Sequence, residues 1–418
     1  MKKRIFVLFL FLTTGLFVNS QIIVGSDWSR LHNIKAGNAE ISTGFSTWYG
    51  SNSINNEFVN GLFSNKYISD DLKLSNKLKE KNRLGYFDDI DLNFAFRPDS
   101  MFGTSGYGFM FSLESHSVNH VSFSPDFFNL AFFGNSNYGG KQADLSNMNL
   151  VTMRYQQFRA GIFKQESNAT YFMGFSLLKG QSYSGFSTKT AYLFTEESGE
   201  YLDLALKGTY FASDSVYRNI LESTGLGASF DLFFNFFNDN KDLQVKIGIT
   251  NIGFINWNRH GFYIKTDTLI HFEGIEIPDI LNIVEPDISG FSGDTLTKIM
   301  HAEAESARFS TALPERIHLA VIKDFSTIKI ETGLVYLHDA GFKLPLFYVN
   351  GDYSIKQKYN LNLGFHYGGY GTWSTQLGIK ANFKDKFILR FSANPEAYII
   401  PSKTRVKALY VGFVYCIN

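Results

Sequence analysis

The stretch Leu409-Tyr-Val-Gly-Phe-Val-Tyr-Cys-Ile417 decides the fold class of this chain. Its odd-numbered positions are all apolar, whereas its even-numbered positions are mixed in character. A strict period of two is typical of a β-strand with one apolar face. The same alternation recurs along the chain, as at residues 226–236, where Ser229, Asp231 and Asn235 stand between apolar residues. We therefore expect a protein built mainly from strands.

Composition indicates where the apolar strand faces lie. Aromatic residues make up 17% of the 418 residues, with 43 Phe and 22 Tyr, which suits a wall that meets lipid and its interfaces. Period two alone also fits a soluble sandwich, in which the apolar face would be the core. The aromatic content and the number of strands favour an all-β fold, a transmembrane antiparallel β-barrel of about 14 strands, or 16, with short helical inserts.

The first 20 residues have the parts of a secretory signal peptide. Lys2, Lys3 and Arg4 precede the apolar run at 5–12, and small or modest residues precede a cut before Gln21. We expect residues 21–418 to form a single barrel in the bacterial outer membrane, in contact with outer-membrane lipid. The alternation breaks at three places, which are expected to be irregular or helical inserts: residues 51–86, 124–135 and 273–312.

The charges exclude some partners and point to a polar lumen. The chain has 39 basic and 39 acidic residues without a basic stripe, so no nucleic-acid partner is expected. Polar residues between the apolar positions should face the lumen, where opposite charges either pair and fill the barrel or tune a permeation path. The lumen-facing candidates are Asp91, Arg97, Glu114, Asp203, Lys207, Asp231, Lys246, Lys329, Glu331, His366, Lys380 and Arg390.

No catalytic, cofactor or metal site is predicted, and we expect a protein that is not an enzyme. His116 and His120 have HxxxH spacing, which suits a metal only on a helix, and they are expected to follow a strand into a loop. His366 and inward acids could meet a serine, as in a hydrolase, but the chain has no GxSxG elbow. The lone Cys416 cannot form an internal disulfide.

Four segments stand out as motifs: Ile249-Thr-Asn-Ile-Gly-Phe-Ile-Asn-Trp-Asn258, Phe272-Glu-Gly-Ile275, Leu313-Pro-Glu-Arg-Ile317 and Asp126-Phe-Phe-Asn-Leu-Ala-Phe-Phe-Gly-Asn135. Together they resemble a family of uncharacterised outer-membrane proteins from Bacteroidota. The resemblance covers most of residues 85–418 and implies an architecture similar to long-chain fatty-acid transporters, with about 14 strands, an N-terminal hatch and no known catalytic residues.

Two functions are consistent with such a barrel. The first is a passive transporter or channel for a small or hydrophobic solute. The alternative is a structural or interaction barrel with a plugged lumen, as an accessory to secretion or surface attachment. The sequence names neither the solute nor a protein partner.

Trp257 is expected near the membrane surface. Counting from Leu243, roughly ten to twelve residues cross the apolar band, so Trp257 should lie just past it in an aromatic girdle. The alternative is a Trp packed inside the barrel under residues 273–312.

The alternation at 226–236 predicts a specific register. Phe230, Leu232, Phe234 and Phe236 should face lipid, and Asp231 and Asn235 the lumen. A charge at mid-bilayer costs roughly 2–4 kcal/mol, so Leu232→Arg should impair folding into lipid vesicles and Ser229→Arg should not. Equal effects of the two substitutions would contradict this register.

Overall fold

A computed structural model describes residues 31, 34–64, 67–101, 103–213, 223–257, 261–273, 305–338, 342–355, 358–383 and 386–417. The predicted signal peptide and most of the predicted insert at 273–312 lie outside these residues. No helix in the described part of the chain is long and apolar enough to cross a membrane.

Nearly all regular structure in the described residues is strand. The strands are β1 (Ala39–Ser51), β2 (Asn82–Phe96), β3 (Tyr107–Phe123), β4 (Lys141–Asp144), β5 (Asn149–Gln165), β6 (Ala169–Thr195), β7 (Tyr201–Ala212), β8 (Gly225–Phe237), β9 (Leu243–Trp257), β10 (Phe262–Glu273), β11 (Glu305–Ser306), β12 (Phe309–Ala312), β13 (Arg316–Asp324), β14 (Ile328–Leu337), β15 (Leu344–Ile355), β16 (Tyr359–Gly369), β17 (Thr372–Phe383), β18 (Phe387–Ala393) and β19 (Val406–Ile417). The helices are α1 (Asn56–Phe63), α2 (Asp70–Leu74), α3 (Pro125–Phe133) and α4 (Glu396–Ile399).

A closed antiparallel barrel of 14 strands is formed by the described residues, which confirms the predicted fold. The ring closes where β1 pairs with β19, from Ala39 opposite Ile417 to Gly50 opposite Val406. Such closure leaves no strand edge unpaired at that seam. The order around the ring is β1-β2-β3-β5-β6-β8-β9-β13-β14-β15-β16-β17-β18-β19.

The two ends of the barrel differ. At one end, called here the turn end, short connections such as 166–168, 238–242 and 325–327 join neighbouring ring strands. At the other, called the loop end, most connections are longer and carry α1, α2, α3 and α4, whereas 370–371 joins β16 to β17 directly. Helices α1 and α2 lie in the predicted insert at 51–86, whose last residues belong to β2 instead, and α3 lies in the predicted insert at 124–135. The helices pack together through a cluster that includes Phe58, Phe123 and Phe128.

The outer wall of the barrel is apolar and exposed. Leu363 is 65% exposed and Phe175 55% exposed, although both sit in regular strands. On β8 the predicted register holds, because Asp231 and Asn235 are fully buried while Phe236 is 39% exposed. Members of this belt from several strands are Ile90, Leu92, Phe111, Leu113, Met173, Leu177, Val349, Phe365, Leu377, Leu389 and Val411.

β6 is too long to lie wholly in the ring. Residues 169–180 pair with β8, whereas residues 184–195 pair with β7, which pairs in turn with β10. β6, β7 and β10 thus form a small sheet that continues the wall at the loop end.

The wall has one shortened strand. β18 stops at Ala393. If the strand continued in the same register, Pro395 would lie opposite Thr375. Proline has no N–H to give to the ladder, which accounts for the stop. Side chains replace the missing partner: the Glu396 carboxylate accepts the Thr375 N–H at 2.7 Å and also its hydroxyl, and the Asn394 amide donates to the Thr375 carbonyl.

Trp257 lies inside the barrel, so the predicted position in a girdle is wrong. A β-bulge in β9 shifts the register between Ile249 and Ile252, and Asn251 adopts a φ of 63° there. One extra residue reverses which positions face outward. Ile252 and Phe254 are therefore exposed, while Trp257 is 1% exposed and donates through Nε1 to Thr311 Oγ1 at 2.9 Å.

The start of the described chain closes part of the turn end. Leu31 and Ile34 are buried against inward side chains of five ring strands, among them Phe163 and Phe172. The Arg97 guanidinium donates to the Ile34 carbonyl at 3.0 Å, and the Gln165 amide donates to the Leu31 carbonyl.

The structure changes the control for the Leu232→Arg test. Ser229 faces inward but is only 3% exposed, next to Gln157, so an arginine there should also impair folding. Asn360 on β16 faces an open part of the lumen. We expect Leu232→Arg to lose roughly 2–4 kcal/mol of stability in urea unfolding from lipid vesicles, and Asn360→Arg to stay near wild type. Equal losses would refute the assigned faces.

Candidate functional site

The lumen is closed near the loop end by packed apolar side chains, called here the seal. They come from the inner faces of most ring strands and are almost completely buried, as in a globular core. The seal consists of Trp48, Phe87, Val118, Met153, Tyr155, Leu178, Ile255, Trp257, Leu313, Leu337, Phe342, Leu346, Tyr370, Val406 and Ala408.

Two hairpin tips fold inward to complete the seal. Tyr370 lies between β16 and β17, and its ring stacks on Trp48 with centroids 5.6 Å apart. Phe342 precedes β15 and meets the same two rings, at 5.9 Å from Trp48 and 5.3 Å from Tyr370. The Tyr370 ring therefore crosses the mouth to reach β1 and β2.

A glycine receives the end of the Tyr370 side chain. A Cβ atom at Gly85 would overlap the Tyr370 hydroxyl and its ring carbons. Only a glycine at position 85 leaves room for the Tyr370 ring. The ring packs against Gly85 and is 1% exposed. Gly369 and Gly371 have φ values of 60° and 92°, so the tight tip also needs residues that adopt positive φ.

A polar chamber of about 540 Å³ lies on the other side of the seal. Its lining runs from mid-barrel residues such as Asp89 and His116 to Ser326 in the turn between β13 and β14. The chamber therefore extends to the turn end, whereas the seal separates it from the loop end.

The ceiling of the chamber, next to the seal, is an ionic network centred on Arg159. Its guanidinium pairs with Asp231 at 2.7 Å and with Glu114. His116 links Glu114, at 3.2 Å, to Asp89, at 2.6 Å. Each carboxylate in this layer thus has a cationic or hydrogen-bonding partner, which buried charges require.

The opposite wall carries a second, smaller network. Lys246 Nζ lies 3.3 Å from Glu331 Oε2, and the Tyr348 hydroxyl donates to Glu331 Oε1 at 2.8 Å. His318 Nε2 is 2.7 Å from the same hydroxyl. These contacts join β9, β13, β14 and β15 through their inner faces.

The sequence matches a known family along most of its length. A family model described as a family of unknown function (DUF5723) matches residues 38–389. The chain belongs to this family. The resemblance drawn from the sequence motifs is confirmed for the family and the 14-strand barrel, while an origin in Bacteroidota stays a prediction.

Solved structures similar to this DUF5723 barrel include two of TodX. A TodX deltaS2S3 mutant monoaromatic hydrocarbon channel is 10% identical with a TM-score of 0.47, and 97% of each chain is covered. The P. putida toluene transporter TodX is 8% identical with a TM-score of 0.46, covering 93% of this chain and 94% of that one. With TM-scores below 0.5, these likenesses carry no argument about function. No curated protein matches the sequence significantly.

Most of the lumen-facing candidates lie in the chamber or its networks. Asp231 is buried within the ceiling network, and Arg97 donates a hydrogen bond to the N-terminal segment. Asp203 and Lys207 do not join this group, because they lie on β7 in the sheet beyond the ring. The candidates that line the chamber are Asp91, Glu114, Lys246, Lys329, Glu331, Lys380 and Arg390.

Asp203 and Lys207 instead pair with β10. Lys207 Nζ lies 2.5 Å from Asp267, and the Asp203 carboxylate lies 2.5 Å from His271 Nδ1, where its hydrogen bond raises the pKa of His271. These are largely exposed contacts, which contribute little to stability.

The histidine candidates also differ from expectation. His116 and His120 both lie within β3, not in a loop, because that strand continues to Phe123. His366 is fully buried, and its ring nitrogens face Asn350 at 3.2 Å and Ser374 at 3.5 Å. The longer distance is poor for a hydrogen bond, and both partners are neutral.

Sequence reasoning missed several members of the site. Asp89, His116 and Arg159 form the ceiling, and Arg159 alternates with the outward Phe158 and Ala160, so its inward direction could have been read from the pattern. Nothing local marks Tyr370 and Gly85 as partners, since the contact joins strands that are distant in sequence and not adjacent in the ring.

Arg159 should be the most sensitive charge in the barrel. Arg159→Met leaves Glu114 and Asp231 buried without their cation, and breaking a buried pair in this way costs about 3–5 kcal/mol. Urea unfolding in detergent should show this loss, while Lys207→Met, in an exposed pair, should change stability by less than about 1 kcal/mol. A similar small loss in both would show that the Arg159 network does not stabilise the barrel.

Proposed function

We propose that this barrel spans the bacterial outer membrane with its turn end in the periplasm, and that it is a gated channel or transporter described in a closed conformation. The exposed apolar belt supports a place in lipid. Barrels of that membrane have short periplasmic turns and longer extracellular loops, which supports the orientation.

The observation that carries this proposal is how the lumen is closed. Among the described residues, wall side chains and two hairpin tips separate the chamber from the loop end. Moving the Tyr370 and Phe342 tips away from Trp48 would remove the contacts that cross the mouth. Movement of these tips at the loop end would therefore loosen the seal over the chamber.

The walls of the chamber favour a small polar or charged solute. Charged and amide side chains of both signs line it, including Asp91, Lys246 and Arg390. A hydrophobic solute would gain little from such walls, because polar groups would lose water without new hydrogen bonds. The hydrophobic solute expected from the sequence thus has less support than the polar one.

A plugged interaction barrel is the second candidate. Its support is the thickness of the seal and the structure at the loop end, where α1, α2 and α3 pack through their own apolar cluster. Affinity purification from native membranes tests it. A reproducible partner together with a barrel that never conducts would favour this function over gating.

Removing the Tyr370 side chain should open the channel. In planar bilayers we expect the wild-type barrel to be mostly silent and Tyr370→Ala to show frequent openings, because the ring no longer bridges to Trp48. Tyr367→Ala is the matched control, since Tyr367 is 50% exposed on the outer wall of the same hairpin. A folded Tyr370→Ala barrel that stays silent would argue against this gate.

Filling the glycine socket should have the same effect. Gly85→Leu displaces the Tyr370 ring and should raise conductance, whereas Gly351→Leu, at an open position, should not. In the double variant the leucine occupies space that Tyr370→Ala vacates, so it should leak less than either single variant. If the conductance increases of the two single variants simply added in the double variant, the two residues would not act through one contact.

A further inference from the structure

We infer that the loop end carries a binding site for a compact multivalent anion, of the class of oligophosphates, formed by five cations beside the seal. These cations are called here the basic rim, and they are Lys79, Lys81, Arg83, Lys343 and Arg405. The inference rests on the proposed function in one respect, since only the proposed orientation makes this end face the outside of the cell.

The end of β1 brings three of these residues together by binding their backbones. The Ser51 N–H donates to the Arg405 carbonyl at 2.9 Å, and the Ser51 hydroxyl donates to the Arg83 carbonyl at 2.8 Å. Asn52 accepts the Arg83 N–H through Oδ1 at 2.7 Å and donates through Nδ2 to the Lys81 carbonyl at 2.9 Å. Three cationic side chains therefore start from one small region, where β2 and β19 begin.

Lys343 is carried by one of the two hairpin tips of the seal. It follows Phe342, and its N–H donates to the Gly369 carbonyl at 2.9 Å. Burial and the positive charges of Arg405 and Lys343 lower the pKa of Lys79, which lies between α2 and β2. The cation on the tip and the cations at the wall are therefore close enough to repel each other.

Arg83 borders the other tip of the seal. It precedes Gly85 by two residues on β2, so both residues point to the same side of that strand. On that side Gly85 receives the end of the Tyr370 side chain. The basic rim therefore meets the seal at both tips.

The basic rim can be reached from the loop end and has little acid of its own. Its three lysines are exposed and its two arginines are half-buried. None of the five cations forms an ion pair with another described residue, and the Arg405 guanidinium donates to the neutral Ser53 carbonyl at 3.2 Å. Glu80 is the one acid within residues 77–83. Five cations against this one acid leave a net charge of four positive at the rim.

An oligophosphate has the chemistry that fits the basic rim. Like charges at close range repel, so several cations in one place favour an anion that carries several charges. The planar guanidinium ions of Arg83 and Arg405 match pairs of phosphate oxygens, whereas the lysine ammonium groups act as point charges. Bound between Lys343 and the wall, such an anion would also hold the Phe342 tip against the seal.

Calorimetric titration of the whole barrel in neutral detergent, at fixed ionic strength, tests the site with three probes. Tripolyphosphate, pyrophosphate and inorganic phosphate share one chemistry and differ in charge. We expect tripolyphosphate to bind saturably, pyrophosphate to bind more weakly and phosphate not to bind measurably. Absence of saturable tripolyphosphate binding, or equal binding of all three probes, would overturn the site.

Matched variants locate the binding. Lys79→Gln and Lys343→Gln should each weaken tripolyphosphate binding about fivefold or more, as loss of a charge-assisted hydrogen bond does. Lys141→Gln is the control, because Lys141 is also an exposed lysine of the loop end but lies on β4. It should change affinity by less than about twofold. Equal losses in all three variants would indicate general attraction by the loop end and would overturn the site.

A competition experiment separates two sources of phosphate groups, free oligophosphates and phosphorylated lipid headgroups. We expect detergent-solubilised lipid A not to displace tripolyphosphate, because the basic rim lies beside the seal rather than on the lipid-facing wall. Displacement would overturn the assignment to a free oligophosphate in favour of a lipid headgroup. Heat-modifiable mobility in gels shows that each variant is folded. Because binding in detergent does not depend on opening, gating can fail while this site stands, and the reverse.

Discussion

Backbone hydrogen bonding around a closed ring is the constraint on which the rest of this structure depends. In hydrocarbon there is no water to satisfy an exposed N–H or C=O group, so every strand needs a partner on both sides. The β1–β19 seam meets this need along the length of both strands. Where β18 ends at Ala393, the Glu396 and Asn394 side chains bond the Thr375 backbone in its place. The wall thus stays paired although one strand is short.

The interior is organised in layers along the barrel axis. The side chains of the seal at the loop end are almost completely buried, and the Arg159 network lies directly beneath them. Next comes the chamber, whose turn end is partly covered by Leu31 and Ile34. An apolar layer over a charged one sharply separates dry from wet space. Because buried ions need fixed partners, the network also holds the strands that carry the seal in register.

The fold could be predicted from the sequence because period two is a local property. Alternation at 226–236 and 409–417 assigns the inner and outer faces without knowledge of neighbouring strands. The assignment fails where a β-bulge adds a residue to one strand. At Asn251 such a bulge moves Trp257 from the expected lipid boundary to the interior. It also does not show where a strand leaves the ring, which is why Asp203 and Lys207 were grouped with the lumen. Contacts across the mouth, such as Tyr370 with Gly85, depend on closure and have no local signal.

Closure by two aromatic tips has a consequence for the permeability barrier of the cell envelope. Exposing a buried aromatic side chain costs about 1.5–3 kcal/mol, so freeing Phe342 and Tyr370 together would cost roughly 3–6 kcal/mol. At that difference about one molecule in two hundred to one in thirty thousand would be open at any moment without a signal. Each copy would therefore contribute a small steady leak, and abundance of the protein would be limited by how much leak the envelope tolerates. In the proposed channel, aromatic packing at the mouth would therefore set the baseline permeability as well as stabilise the structure.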